Sequence, residues 1–441
     1  MNIQFQRAVD RFIGVPICFA LSLLDYLMRW CAGFFGEGAQ PSGDSVVRQN
    51  GAVPPRILVI LLSEMGSLVL AQPMFAQLKQ RYPGALIYVM LFAKNREVLD
   101  LLGVIPPEQV LTIDDRSLFG FARDSLNALA CLRALKLDAV IDCELFSRVS
   151  SIFSYLSAAR LRVGFHRYTQ EGLYRGSFIN RPVLYNPYRH LSLQFLTLLS
   201  ALESSTYPLA KALPVLWHKN LASDADACAK LTPTATALPE VPQLDFPEAE
   251  LASIAQRLFA DFPMIQGKPL VLVYPSGGLL PIRAWPQASY AELCSGLLAD
   301  GYAIGLIGMP DDRPLAQALL QQCANPYCID LTGYTKSVRQ LLALFHHAVL
   351  LITNDGGPGQ FAALTALPSI VFFGPETPQL YRSLSPNAYC FDLNFPCSPC
   401  LTAYNHRASP CDGDNQCLQQ ITPQQVLAKA RAMLAAASVL R

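Results

Sequence analysis

The strongest chemical signal in this chain follows a hydrophobic run at Val349–Thr353, which ends at Asn354 and Asp355. The next residues are Gly356, Gly357, Pro358, Gly359 and Gln360, and a second apolar run follows at 369–374. This order predicts a strand, a tight turn, the start of a helix and another strand. Because such a turn exposes backbone amides at the positive end of a helix, it favours an anionic ligand such as a diphosphate.

Asp355 lies where the predicted strand ends. Open α/β sheets bind ligands outside the carboxyl ends of their strands, so this carboxylate is a candidate site residue. An aspartate before a helix is also typical of an N-cap, and both interpretations are compatible.

Alternating strands and helices must position these groups. Buried strands alternate with helices from Arg56 to about residue 165, and the alternation restarts at Leu270. This predicts two parallel sheets flanked by helices, with a cleft between the two halves where a ligand binds. We expect five segments: an N-terminal amphipathic or hydrophobic helix (1–36), a linker (37–55), an N-terminal Rossmann-like domain (56–250), a C-terminal Rossmann-like domain with a Cys-rich loop (251–422), and a C-terminal helix (423–441).

Composition limits the classes of function. The 441 residues are 52% hydrophobic and 15% charged, and the net charge is +1. A nucleic-acid binder that neutralises many phosphates needs a basic surface, so this class is disfavoured. The 13 cysteines stand mostly in apolar runs, and no cleavable secretory signal is convincing. We therefore expect a cytoplasmic protein.

The N-terminus is unusually apolar at Phe12–Leu24. These 13 residues are too few for a membrane span, which needs about 20. Extension to Phe35 gives the length but includes Asp25 and Arg29. An interfacial helix at the inner face of the cytoplasmic membrane, with Trp30, Phe34 and Phe35 as anchors, fits best. Packing against the protein's own body and a true span remain alternatives.

Several weak motifs occur in an order that resembles glycosyltransferase family 9, whose best-known members are lipopolysaccharide heptosyltransferases. They are a Ser-x-x-Gly turn at 63–67, an Arg-x-Gly-Phe strand at 162–165, Arg-Ala-Trp-Pro at 283–286, Asp-Leu-Thr-Gly at 330–333, Asn-Asp-Gly-Gly-Pro at 354–358 and Phe-Gly-Pro at 373–375. Together these motifs cover about residues 56–425 and are far more specific than any one of them.

The resemblance implies a GT-B fold, in which the C-terminal domain holds a nucleotide-sugar and the N-terminal domain an acceptor. It also implies catalysis without a metal, and no Asp-x-Asp element stands at a strand end to bridge a diphosphate through a cation. Helix N-termini and a cationic side chain would then carry the charge of the leaving group. We expect no cofactor; the partners would be the nucleotide-sugar, a glycolipid or polysaccharide acceptor and a membrane surface.

The acceptor-side turn departs from the family pattern. It contains Ser63, Glu64, Gly66 and Ser67, and Ser67 stands where the family has an Asp that is its candidate general base. A serine hydroxyl is a poor proton acceptor at neutral pH. Glu64 is the nearest replacement as a base. Alternatively, Glu64 is only a polar residue near a helix start, where negative charge is favourable.

The donor side departs at two positions. Arg283 replaces a family Lys that binds donor phosphate, and its planar fork suits phosphate oxygens; an exposed arginine beside Trp285 is the plainer interpretation. Gln360 replaces a family His, and glutamine donates hydrogen bonds without carrying charge. Ser276, Gly277 and Gly278 form a second loop that would face phosphate.

A cysteine-rich stretch follows the last predicted strand, with thiols at Cys397, Cys400, Cys411 and Cys417. Two cysteines three positions apart suit half of a zinc site, whereas the spacing of the second pair does not. A structural metal or cluster, disulfides or redox-sensitive thiols, and inert cysteines remain open.

The sequence therefore predicts an inverting glycosyltransferase that moves a sugar, possibly a heptose, from an ADP-linked donor to a cell-envelope acceptor. Glu64, Arg283 and Asp355 are its candidate catalytic residues. The departures at Ser67 and Gln360 leave a second hypothesis, a weakened nucleotide-sugar-binding relative that acts as a sensor or scaffold. A two-domain epimerase is a third possibility, although no acid/base pair for it is evident.

Overall fold

The computed structural model describes residues 3–34, 55–62, 64–166, 174–204, 238–405 and 407–439. The chain divides into two compact units, one comprising Met1–Pro239 with Ala403–His406 and the other Glu240–Thr402 with Arg407–Arg441. The predicted linker at 37–55 lies almost wholly outside the described residues, as do residues 205–237 between the two sheets.

The first unit contains one six-stranded parallel sheet with the order β3-β2-β1-β4-β5-β6. The strands are β1 (Arg56–Ile60), β2 (Leu86–Phe92), β3 (Val110–Ile113), β4 (Ala139–Asp142), β5 (Leu161–His166) and β6 (Arg181–Leu184). The helices are α1 (Ile3–Phe12), α2 (Gly14–Phe34), α3 (Met65–Arg81), α4 (Arg96–Leu102), α5 (Leu118–Leu135), α6 (Arg148–Leu156) and α7 (Leu191–Ala201).

The second unit also contains a six-stranded parallel sheet, with the order β12-β11-β10-β7-β8-β9. Its strands are β7 (Leu270–Tyr274), β8 (Ala303–Gly308), β9 (Cys328–Thr332), β10 (Ala348–Asn354), β11 (Ser369–Phe372) and β12 (Ala388–Phe391). Its helices are α8 (Glu248–Asp261), α9 (Gln287–Ala299), α10 (Arg313–Cys323), α11 (Val338–Phe345), α12 (Gly357–Phe361), α13 (Pro378–Tyr381), α14 (Gln416–Gln419) and α15 (Pro423–Val439).

Both sheets are built from short apolar strands buried by helices, as parallel sheets require. In the first unit, Leu58 and Ile60 of β1 pack in one core with Leu132 of α5 and Phe153 of α6. In the second, a larger core surrounds the fully buried Trp285. The predicted fold class, two Rossmann-like α/β units with an apolar N-terminal helix, is confirmed.

Several elements were missing from the sequence-based prediction, among them two strands and helix α7. Strands β6 and β12 are four residues long and lie at sheet edges. Helix α7 is buried along all eleven residues, so it lacks the polar face that reveals an amphipathic helix.

Candidate functional site

The donor-side residues are held together by Asn354, the last residue of β10, which is fully buried. Its amide nitrogen donates to the carbonyl oxygens of Pro275 and Ser276, each at 3.0 Å. Its amide oxygen accepts from the backbone N–H of Trp285 at 2.9 Å and from the Tyr290 hydroxyl at 3.0 Å. All four hydrogen-bonding positions of this side chain are therefore used, which fixes its orientation.

Asn354 thereby brings three separate segments to the carboxyl end of β10. They are the loop after β7 that contains Ser276, the segment around Trp285 and the turn that begins at Asp355. The indole of Trp285 stacks on Phe372 with centroids 4.7 Å apart, and its N–H donates to the Ile421 carbonyl at 2.9 Å. Sequence analysis assigned no role to Asn354, although its place beside Asp355 at a strand end was visible.

Arg283 and Asp355 form an ion pair with 3.4 Å between Nη1 and Oδ2. Both side chains are largely buried, with 16% and 8% of their surfaces exposed, so the plain interpretation of Arg283 as an exposed arginine is wrong. Arg283 Nε is buried without a hydrogen-bond partner among the described residues. The guanidinium therefore keeps unused donor capacity beside the turn.

The glycine-rich turn is more compact than a long helix start. Gly356 occupies the N-cap position of α12, so Asp355 precedes the cap rather than forming it. Helix α12 has five residues and continues as a 3₁₀ turn at Ala362–Leu364, which limits its dipole. Among the backbone–backbone hydrogen bonds that the described residues make outside helices and strands, none has the amide of Gly356, Gly357 or Gly359 as its donor.

Gln360 differs from the expectation that it donates to a ligand. Its side chain is 7% exposed, and its Nε2 already donates to the Tyr381 carbonyl oxygen at 2.6 Å. Its Oε1 is buried without a partner among the described residues. A flipped amide would set two oxygens against each other, so the free group of Gln360 is an acceptor.

The second donor-side loop is shaped by its glycines. The Ser276 hydroxyl accepts from the Gly278 amide at 3.0 Å, and Gly278 has a φ of 58°. A Cβ added to Gly277 would lie 2.6 Å from the Leu280 carbonyl oxygen, so only glycine fits there. Burial, with a smaller effect of Asp312, raises the pKa of Tyr274 at the base of the loop.

The acceptor-side turn lies in the first unit, at the end of β1, and Ser63 falls outside the described residues. Glu64 is the N-cap of α3, but its carboxylate makes no cap hydrogen bond. The Ser67 hydroxyl instead donates to Glu64 Oε2 at 3.1 Å. Thus Ser67, which departs from the family pattern, contacts the carboxylate of its candidate replacement, Glu64, and orients it.

Buried polar groups that the sequence did not reveal support this turn. The Leu62 amide donates to Glu144 Oε1 at 2.7 Å, and Asn95 Nδ2 donates to the Leu62 carbonyl at 2.6 Å. Behind them, the fully buried Arg175 pairs with Asp142. Since 33 residues separate that pair, no local pattern announces it.

The four cysteines after β12 do line one cavity of about 180 Å³. Burial is the main cause that raises the pKa of Cys417 to about 11, and neighbouring thiols add to it. Among the described residues, no three His, Cys, Asp or Glu side chains are arranged to hold one metal ion. The loop supports the donor side, because Asn415 Nδ2 donates to the Ile282 carbonyl beside Arg283.

Comparisons with known proteins agree with this architecture. A model of the family described as glycosyltransferase family 9 (heptosyltransferase) matches residues 129–408. Lipopolysaccharide heptosyltransferase 2 of Salmonella typhimurium is 25% identical over 397 residues, covering 86% of this chain and 98% of the relative. The protein of the same name from Escherichia coli is 25% identical over 396 residues, covering 86% and 98%.

Solved structures show the same fold. ADP-heptose lipopolysaccharide heptosyltransferase II of E. coli has a TM-score of 0.63 at 23% identity, covering 86% of this chain and 99% of its own. A family 9 glycosyltransferase from Veillonella parvula has a TM-score of 0.64 at 18% identity, covering 90% and 100%. Since the family model spans more than half of the 441 residues, this chain belongs to glycosyltransferase family 9, the heptosyltransferase family.

Proposed function

We propose that this protein transfers a heptose from ADP-heptose to a lipopolysaccharide acceptor, with inversion at the anomeric carbon. Family membership and the names of the Salmonella and E. coli relatives support this activity. The observation that carries the proposal is the set of hydrogen bonds made by the Asn354 side chain. They hold the segment of Arg283 beside Asp355, at the start of the glycine-rich turn.

The donor diphosphate would be held without a divalent ion. In this proposal the amides of Gly356, Gly357 and Gly359 and the Ser276–Gly278 loop contact its oxygens. The Arg283 fork, which suits phosphate geometry, adds the positive charge that the departing ADP needs. Asp355 pairs with that guanidinium, and in this proposal its carboxylate contacts the donor sugar.

The acceptor hydroxyl would attack the anomeric carbon from the face opposite to the diphosphate. The C–O bond to ADP breaks as the new glycosidic bond forms, and a base removes the hydroxyl proton. We assign the base to Glu64, whose carboxylate is oriented by Ser67 at 3.1 Å and is not used in capping α3. General bases of this kind contribute about 10²- to 10⁴-fold to rate.

The location follows from the acceptor. We propose a cytoplasmic enzyme that works at the inner face of the membrane, where a lipid-linked acceptor presents its sugar. The relatives' names refer to lipopolysaccharide and lipooligosaccharide, which are lipid-linked.

The test combines donor binding with turnover. A thermal-shift screen of nucleotide-sugars should single out ADP-heptose, because a ligand that binds only the native state raises its stability. ADP release should then require a heptose-acceptor lipopolysaccharide core. Binding without release under any acceptor would instead support the sensor hypothesis, and sugar conversion without acceptor would support an epimerase.

A further inference from the structure

Helices α1 and α2 follow each other with only Ile13 between them. The stretch Arg7–Cys31 is long and apolar enough to cross a membrane by length and composition. Only 11% of its most apolar 18 residues are buried in the protein. Length and composition do not separate a span from a surface helix. The contacts of its two faces do.

The inner face is tied to α6 by Asp10. Its Oδ1 accepts from the backbone amides of Arg148 at 2.8 Å and Val149 at 3.0 Å. Ser147, which occupies the N-cap position of α6, makes no side-chain cap bond, so Asp10 caps this helix from outside. Asp10 also pairs with the Arg148 guanidinium at 3.4 Å, and that side chain is 2% exposed.

The same face continues along α2 at helical spacing. A Cβ added to Gly14 would lie 2.7 Å from Arg148 Cβ, so α2 and α6 are in close contact there. Cys18 is fully buried with Phe178 and Ile179. One helical face therefore packs on the first unit over several turns.

Two polar contacts extend this attachment. Ser22 Oγ accepts from the Ser177 amide at 2.9 Å. Asp25 pairs with Arg162 at 3.4 Å and with Arg29 at 2.8 Å. Helix α2 is thus held to the unit by polar groups as well as by packing.

A membrane span would break these contacts. Arg148 and Arg162, both nearly buried, would lose their carboxylate partners, and α6 would lose the cap on its first amides. Removal of one partner from a buried ion pair is strongly destabilising. Asp25 would also enter the hydrocarbon core, where a carboxylate is costly.

The outer face has a different character. Large apolar side chains cover it, among them Phe12, Phe19, Leu23 and Trp30 with 74%, 65%, 52% and 56% exposed. Both aspartates of this stretch point inward to arginines, whereas Arg11 is exposed. This face is therefore apolar, with the exposed guanidinium groups of Arg11 and Arg29 in the same stretch. Trp and Tyr are the aromatic residues that prefer a membrane–water boundary.

We propose that α1 and α2 form a lipid-docking element that lies in the plane of an anionic bilayer while it stays attached to the first unit. The exposed guanidinium groups of Arg11 and Arg29 match anionic headgroups and would repel the same groups of a second copy. This inference deepens the proposed function, since it places the acceptor-side unit at the surface that carries a lipid-linked acceptor. It needs no catalysis, however, and can be tested alone.

Vesicle flotation of the full chain tests lipid binding. The protein should float with vesicles of phosphatidylethanolamine and phosphatidylglycerol, and less with phosphatidylcholine alone. Phe19→Ser combined with Leu23→Ser and Leu27→Ser should reduce flotation at least about tenfold, because the variant lacks the apolar side chains that would insert into the bilayer. The control is Phe119→Ser with Leu126→Ser, which removes apolar groups of α5 that are at least as exposed, and this variant should float like wild type.

Tags at the two ends distinguish docking from spanning. In spheroplasts, both tags should resist external protease, and in inverted membrane vesicles both should be digested. Digestion of the N-terminal tag alone in spheroplasts would overturn the proposal in favour of a span. Absence of flotation together with a concentration-dependent dimer that the triple variant abolishes would overturn it in favour of a second copy. Flotation with no transferase activity would leave this inference standing and contradict only the proposed function.

Discussion

The turn that contains Glu64 and Ser67 keeps a carboxylate although Ser67 stands where the family has an aspartate. The serine occupies the position of the family's candidate base, yet its hydroxyl holds the neighbouring carboxylate at 3.1 Å. In the proposed function, this carboxylate would take the place of the family's candidate base.

Glu64→Gln is the first test at this scale. We expect kcat to fall by about 10²- to 10⁴-fold, since the amide keeps the size of the side chain but cannot accept the proton. ADP affinity should be unchanged, and Glu108→Gln, at an exposed glutamate of the same unit, should be silent. Retention of turnover by Glu64→Gln would move the base elsewhere.

The glycines of the donor side predict two different outcomes. Gly356 has extended backbone, and a Cβ there would have the Asn354 carbonyl oxygen as its nearest neighbour at 3.9 Å, so Gly356→Ala should fold normally. If its amide approaches the diphosphate, the added methyl should weaken ADP binding by about tenfold, as close backbone approach is the use of such a glycine.

Gly277→Ala serves as the contrast. Its Cβ would meet the Leu280 carbonyl at 2.6 Å, so we expect about 1–3 kcal/mol of lost stability from overpacking. Urea unfolding and ADP titration of both variants make the comparison. Equal ADP affinity in Gly356→Ala and wild type would show that this amide does not contact the ligand.

At the scale of elements, the strand–helix alternation was readable because short apolar strands and amphipathic helices have different periods. Strands β1 to β5 and β7 to β11 were found on that basis. Helix α7 was missed because it is buried all round, and β6 and β12 because four-residue strands give little pattern. The Arg283–Asp355 pair was missed for another reason: 72 residues separate its members, so only the folded chain joins them.

Asn354 connects three segments of the second unit by hydrogen bonds, so its replacement should lower both the free energy of unfolding and the affinity for ADP. Asn354→Ala leaves the Trp285 amide and two carbonyls unpaired in the core, which we expect to cost about 3 kcal/mol. Urea unfolding should show this loss, and ADP binding should weaken because Arg283 is no longer positioned. The control, Asn387→Ala at an exposed asparagine, should change stability by less than about 1 kcal/mol. Equal stability of the two variants would contradict the role of Asn354.

The cysteine loop makes a prediction about pH. Because burial raises the pKa of Cys417 to about 11, its thiol is protonated at neutral pH, and the reactive thiolate appears only as the pH rises. In the native protein, iodoacetamide should therefore modify the exposed Cys397 at pH 7.5 and Cys417 much more slowly, with a rate that still increases up to pH 10.

Peptide mass spectrometry measures this pattern, with the exposed Cys131 as the reference thiol. Resistance of Cys397 that a chelator removes would indicate a bound metal. Resistance that only a reductant removes would indicate a disulfide. The predicted pattern assumes inert thiols, and either result would exclude that interpretation.

At the scale of the whole molecule, the two units carry different parts of the proposed reaction. The residues assigned to the donor all belong to the second unit, whereas Glu64 and the lipid-docking helices belong to the first. In these proposals, donor binding, acceptor activation and membrane docking are therefore separable properties of one chain.

This division predicts where ADP alone should act. At a concentration of 100 times its dissociation constant, a ligand specific for the native state stabilises it by about 2.7 kcal/mol. If the second unit holds the diphosphate by backbone amides, hydrogen exchange should slow at residues 275–283 and 355–361. The amides of α3 and α6 in the first unit should exchange as before. Arg283→Ala should abolish the protection, whereas Glu64→Gln should retain it in full. Hydrogen exchange of a backbone amide slows only where ligand or structure shields that amide. Protection confined to the first unit would therefore reverse the assignment of the donor and acceptor sides.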